Sequence, residues 1–207
     1  MNNFLKLRLP SNPVKDMKII ENTVVQGGYN LLLPGQILTD EIMDTFKTMG
    51  LRPKFVSLFG RNDHDGTPET RMIHTDIALD KQNKWQKLLF GINWEVTGHH
   101  NMFSWWDMSS LKECWPDEPL PKKYDYLNGV HYGKRLNLGV PEGAIKLQEV
   151  LIDGPTLVRT DIPHATVYKA SDNVTGSRIG VSVRFFEDDF KSWEDVHAFF
   201  EKYAVNE

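Results

Sequence analysis

The chain has 207 residues, 40% hydrophobic and 25% charged, enough apolar content to bury a core, and reads as one globular domain rather than a disordered, collagenous or coiled-coil chain. The formal charge of −4 is uneven: residues 187–207 hold seven acids against Lys191 and Lys202, and the nearly neutral remainder lacks the basic stripe of a nucleic-acid binder. A single cysteine, Cys114, cannot close an internal disulfide, and no apolar run approaches the roughly 18 residues of a membrane span, so a reducing, cytoplasmic setting with neither membrane nor nucleic-acid partner is expected.

In chain order, the first strong element is a helix over 39–50. Thr39 is its expected N-cap, Asp40 and Glu41 suit the positive end of the helix dipole, Ile42, Met43, Phe46 and Met49 share one face, and Gly50 stops it. Eight strand-length apolar runs come next, at 54–59, 71–79, 87–95, 102–108, 146–152, 156–160, 165–169 and 178–186. Their β-branched and aromatic residues predict a mainly β chain, an antiparallel sandwich or barrel, and eight strands suit a jelly-roll core over about 54–186. The stretch 112–140 carries three prolines, many charges and little periodicity, and reads as a candidate lid loop. A closing helix over 192–203 starts at Ser192, whose hydroxyl can cap the Asp195 amide, and faces Val196, Phe199 and Phe200 to the core.

The chemistry begins in the run 71–79 (RMIHTDIAL). Residues i and i+2 of a strand share a face, so Met72, His74, Asp76 and Ala78 point one way, and two candidate metal ligands stand together. Composition alone supplies about 0.5 such H-x-D triplets in a chain of this His and Asp content, so the pair gains weight only beside further ligand-type residues downstream. His164 in DIPHATVYKA shares a face with Thr166 and Tyr168. The run RIGVSVRF then turns Arg178, Gly180, Ser182 and Arg184 to one side and Ile179, Val181, Val183 and Phe185 to the other. An unpaired buried guanidinium costs on the order of several kcal/mol, so arginines on an inward face call for an anion. Asn93 shares an inward face with Gly91 and Glu95, where it either serves the site or is a buried amide bonded to the backbone. Trp105 and Trp106 send one indole to each side of their strand, which suits core packing and leaves one ring for an interface or a pocket. His99 and His100 read as a turn, His64 and His131 as loop and His197 as helix, with no partner at ligand spacing, and Cys114 has no basic surroundings to activate it.

Two imidazoles and one carboxylate on one side of a metal leave adjacent coordination positions open, the arrangement of non-haem Fe(II) oxygenases. In order and spacing, His74-Thr75-Asp76, Asn93-Trp94, Pro163-His164 and Arg178 to Phe185 resemble the 2-oxoglutarate- and Fe(II)-dependent dioxygenase superfamily, and within it a prolyl-hydroxylase-like or phage-type subgroup. The resemblance implies a double-stranded β-helix core in which His74, Asp76 and His164 ligate Fe(II) and form the catalytic centre. It implies further that Arg178 pairs with the distal carboxylate of 2-oxoglutarate, a task that suits its planar fork; Ser182, on the same face as Arg178, and the inward Asn93 are candidates for additional cosubstrate contacts. The chain departs from the family's frequent R-x-S at Gly180 and carries its serine at Ser182, which leaves Arg184, Thr166 and Tyr168 as other candidates for that contact. The implied reaction couples O2 and 2-oxoglutarate to hydroxylation of a small molecule or an amino-acid side chain, in a peptide for instance. Two readings stay open beside it: a jelly-roll binding protein without turnover, and a cupin-type metal enzyme that uses no 2-oxo acid.

Overall fold

A computed structural model of the chain describes residues 1–24, 28–62, 73–79, 85–97, 101–110, 130–136, 140, 142–168, 177–185 and 190–205. In chain order its elements are β1 (Phe4–Lys6), α1 (Met17–Val24), β2 (Gly28–Leu32), α2 (Pro34–Ile37), α3 (Asp40–Thr48), β3 (Pro53–Asn62), β4 (Ile73–Leu79), β5 (Trp85–Lys87), β6 (Phe90–Thr97), β7 (Asn101–Asp107), β8 (Val130–Leu136), β9 (Ile145–Leu151), β10 (Thr156–Arg159), β11 (His164–Tyr168), β12 (Ser177–Phe185) and α4 (Trp193–Glu201). The strands form two antiparallel sheets, one ordered β1-β10-β6-β12-β3-β2 and the other β5-β4-β11-β7-β9, with β8 also paired to β4. In sequence, β3, β6, β10 and β12 of the first sheet interleave with β4, β7, β9 and β11 of the second, so the chain repeatedly crosses between the sheets.

Both expected helices form, and local chemistry sets their ends. Thr39 Oγ1 accepts from the Ile42 amide at 3.2 Å at the start of α3, and Gly50 follows it in the left-handed region with φ +78°. Ser192 Oγ accepts from the Asp195 amide at 3.2 Å at the start of α4.

The expectation of a mainly β chain holds, and it is corrected in detail. Twelve strands form among the described residues rather than eight. The run expected over 87–95 breaks at Leu88 and Leu89, where the chain leaves β5 in the second sheet for β6 in the first. Within the expected lid, residues 130–136 form β8, whose charged sequence VHYGKRL becomes strand through pairing with β4 and not through its own period; residues 111–129 lie outside the described residues.

The largest apolar cluster does not lie between the sheets. Val56 and Leu58 of β3, Ile92 and Trp94 of β6, and Val181, Val183 and Phe185 of β12 pack with Ile20 of α1, Ile42 and Phe46 of α3, and Val196 and Phe200 of α4. Strand alternation then turns Ser57, Asn93, Ser182 and Arg184 of the same three strands toward the second sheet, and Ser182 stands in register with both Ser57 and Asn93. The interior between the sheets therefore has a polar wall on this side, closed in part by Val158 of β10 against Phe103 and Trp105 of β7. The two ends of the chain brace the helices: Trp193 Nε1 donates to the Asn2 carbonyl, and the Arg8 and Val205 amides donate to the Tyr203 and Lys6 carbonyls. None of the described helices is long and apolar enough to cross a membrane.

Candidate metal centre

His74 and Asp76 lie near the start of β4, and His164 opens β11 immediately after Pro163. His164 is the register partner of His74 on one side and of Trp105 on the other, which brings residues 90 positions apart in sequence to one point of the sheet. One ligand atom from each of His74, Asp76 and His164 lies within 4.8 Å of the others, the one such group among the described residues. Asp76 Oδ1 is 3.4 Å from His74 Nε2 and 3.7 Å from His164 Nε2, and the two imidazole centroids are 4.4 Å apart. Donors that share one ion at about 2.1 Å stand about 3 to 3.5 Å from each other, so the three need little movement to close on a metal.

The backbone of Asp76 is pinned by two connecting segments. Its amide donates to the Thr160 carbonyl at 3.0 Å, and its carbonyl accepts from the Leu88 amide at 3.0 Å. Thr160 Oγ1 in turn donates to the Leu88 carbonyl at 2.8 Å, so the crossing from β5 to β6 and the turn before β11 are tied together behind the carboxylate. His164 Nδ1 lies 2.9 Å from the Ile162 carbonyl, which fixes the tautomer with the proton on Nδ1 and presents the Nε2 lone pair to the site. The Phe103 ring stacks on the imidazole at 4.9 Å and 18°.

Asp76 and His164 are buried and His74 is partly exposed, so the cluster opens at the His74 side. Burial, with the nearby His74, pushes the His164 imidazole down to about 3 against the attraction of Asp76, which keeps the ring in the neutral form that ligates metal. Burial also opposes ionisation of Asp76, but the Arg184 guanidinium, a hydrogen bond from His74 and the two imidazoles together hold its carboxyl far below the usual carboxylate range. A charged carboxylate oxygen and a fixed imidazole nitrogen are thus ready for a cation.

Arg184 reaches this cluster from the opposite sheet, with Nη2 at 2.5 Å from Asp76 Oδ2. Its inward direction is visible in the alternation of RIGVSVRF; its partner, 108 residues away, leaves no local trace in the sequence. Ser182 and Asn93 form a second pair on the inner face of the first sheet, the Ser182 hydroxyl donating to Asn93 Oδ1 at 2.5 Å. Arg178 lies near the start of β12, opposite Arg61, six residues or about 20 Å of strand from Arg184; its side chain is outside the described residues, as is that of Tyr168. Both tryptophans of β7 are buried: Trp105 Nε1 donates to the Arg159 carbonyl at 2.8 Å, and Trp106 Nε1 donates to Ser104 Oγ at 3.0 Å, with Lys146 Nζ 5.6 Å above its ring. His197 packs against Trp193 within α4, and His131 stands opposite Ile77 on β8, while His64, His99, His100 and Cys114 lie outside the described residues. No family model matches the chain, and no curated protein or solved structure matches it.

Proposed function

We propose that the protein is an Fe(II)- and 2-oxoglutarate-dependent oxygenase that hydroxylates a small molecule or an amino-acid side chain, on a double-stranded β-helix. The interleaving of β3, β6, β10 and β12 with β4, β7, β9 and β11 supports that architecture. One observation carries the chemistry: two imidazole nitrogens and one carboxylate oxygen, from the starts of two neighbouring strands, converge to within 4.8 Å of one another. Two nitrogens and one oxygen suit Fe(II) and leave room for exchangeable ligands. When bound, the iron, the 2-oxo acid and O2 supply oxidation of an unactivated C–H bond. The chain's own residues do the rest. His74, Asp76 and His164 would hold the metal, Arg178 would offer its fork to the distal carboxylate of the cosubstrate, and Ser182 and Asn93 would give it hydrogen bonds from the polar inner wall.

Anaerobic addition of Fe(II) and 2-oxoglutarate to the purified chain is expected to produce a visible metal-to-ligand charge-transfer band, absent from His74→Ala and Asp76→Ala. Arg178→Ala is expected to raise the 2-oxoglutarate concentration needed for that band by about 10- to 100-fold, the worth of a charge-assisted hydrogen bond, and to leave iron affinity near that of the parent. Iron bound without the band would refute the oxygenase and leave a metal enzyme that uses no 2-oxo acid. Failure to bind iron would refute the centre itself and leave a two-sheet binding protein.

A further inference from the structure

We propose that Arg184 is a positioning residue for the metal centre, spanning the two sheets to hold Asp76 in single-oxygen ligation, and that Gly91 is the notch through which it reaches. The inference rests on the metal-centre reading above. The two oxygens of Asp76 are divided between two tasks: Oδ2 accepts from Arg184 Nη2 at 2.5 Å, while Oδ1 faces both imidazoles at 3.4 and 3.7 Å. A carboxylate with both oxygens free can swing or chelate, and chelation would fill one of the coordination positions that exchangeable ligands need. Arginine–carboxylate pairs frequently close the fork on both oxygens. Arg184 instead uses one nitrogen on one oxygen, and Nη1, although buried, has no hydrogen-bond partner among the described residues. A buried ion pair of this kind is weak support for stability, because desolvation offsets most of its attraction; its value lies in where it fixes the carboxylate.

The path of the side chain gives a second, independent sign. Arg184 crosses β6 at Gly91, where a Cβ would lie 1.4 Å from Nη1, 2.6 Å from Cζ and 3.3 Å from Cδ. The guanidinium occupies the space that any other residue would fill. Gly91 lies within a strand, where alanine is conformationally the better residue, so an added methyl would displace the guanidinium and leave the backbone in place. Gly91→Ala therefore removes the contact to Asp76 while leaving Arg184 and all three ligands chemically intact.

The test uses Co(II), whose visible d–d bands report coordination number, added to the full chain with affinity read by calorimetry. Arg184→Gln and Gly91→Ala are each expected to weaken Co(II) binding by about 10- to 100-fold and to change the band intensity. The double variant is expected to bind no more weakly than either single one, because both remove the same contact. Arg184→Lys, which restores the charge without the fork, is expected to recover part of the affinity. Should folded Arg184→Gln or Gly91→Ala keep the parent's affinity and spectrum, or should their losses add, the inference is overturned even though the parent binds Co(II) and His74→Ala does not. Should parent and His74→Ala bind alike, it is the metal-centre reading that fails. If Arg184→Gln does not fold, Gly91→Ala carries the same comparison.

Discussion

With Nδ1 directed at the Ile162 carbonyl and its ring 1% exposed between Phe103 and His74, His164 is shielded from the solvent that would stabilise a second proton. Its folded value of about 3 lies below the 6.5 of an unfolded histidine, so between these limits the unfolded chain binds a proton that the folded chain refuses. Stability is therefore complete above pH 6.5 and falls as pH drops toward 3. Asp76 acts in the same direction lower down: its depressed value makes a contribution present above the unfolded carboxylate range and lost as pH falls below it. For the metal-free protein, the His164 effect amounts to a loss of about 2–3 kcal/mol between about pH 7 and 4.5, measurable by denaturant unfolding. His164→Asn, which has no such proton to bind, is expected to flatten that slope; an unchanged slope would place the acid sensitivity elsewhere in the chain.

The elements that are legible in the sequence are those whose chemistry is local. Thr39 with Gly50, and Ser192 with Asp195, announce α3 and α4 because capping acts over three residues. Strand alternation likewise puts His74 beside Asp76, and Ser182 and Arg184 on the inward face, before any tertiary contact is known. What it does not show is pairing over distance. β8 takes its form from β4, β1 from β10 and β2 from β3, and each of these three is short or of mixed composition. The crossing at Leu88 and Leu89 is hidden inside a continuous apolar run because a strand that changes sheets keeps its composition. That crossing is held by Thr160, whose buried hydroxyl donates to the Leu88 carbonyl at 2.8 Å while the Leu88 amide bonds to the carbonyl of Asp76. Thr160→Val keeps the shape and removes the donor, leaving the Leu88 carbonyl unsatisfied. The expected loss is about 1–3 kcal/mol of unfolding free energy. Because the same strand crossing backs Asp76, Co(II) affinity is expected to fall with it, whereas Ser192→Ala at the distant α4 cap should lower stability by about 1 kcal/mol and leave affinity unchanged. Equal affinity in Thr160→Val and the parent would show that Asp76 is placed by Arg184 and β4 alone.

On the scale of the molecule, the position of the apolar core decides what the space between the sheets can hold. Helices α1, α3 and α4 cover the outer face of the first sheet and form the main cluster there, so the fold does not depend on an apolar filling throughout the interior. The acids of α4 fit this arrangement, since Glu194, Asp195 and Glu201 are exposed while Trp193, Val196 and Phe200 face the cluster. A polar interior with two imidazoles, a carboxylate and an arginine is then compatible with a folded metal-free chain, and a metal bound by the folded state alone would add stability. At a free metal concentration of about 100 Kd that increment is about 2.7 kcal/mol, which for a chain of this size corresponds to a rise in Tm of about 5–10 °C. Thermal unfolding with Fe(II) under anaerobic conditions, or with Co(II), is expected to show such a rise, reversed by a chelator and absent from Asp76→Ala. A chain that is unfolded without metal would place the ligands in the structural core, contrary to the packing of the first sheet on its helices. A folded chain whose Tm ignores both ions would instead mean that the three side chains meet without a metal, with Asp76 held by its pair with Arg184.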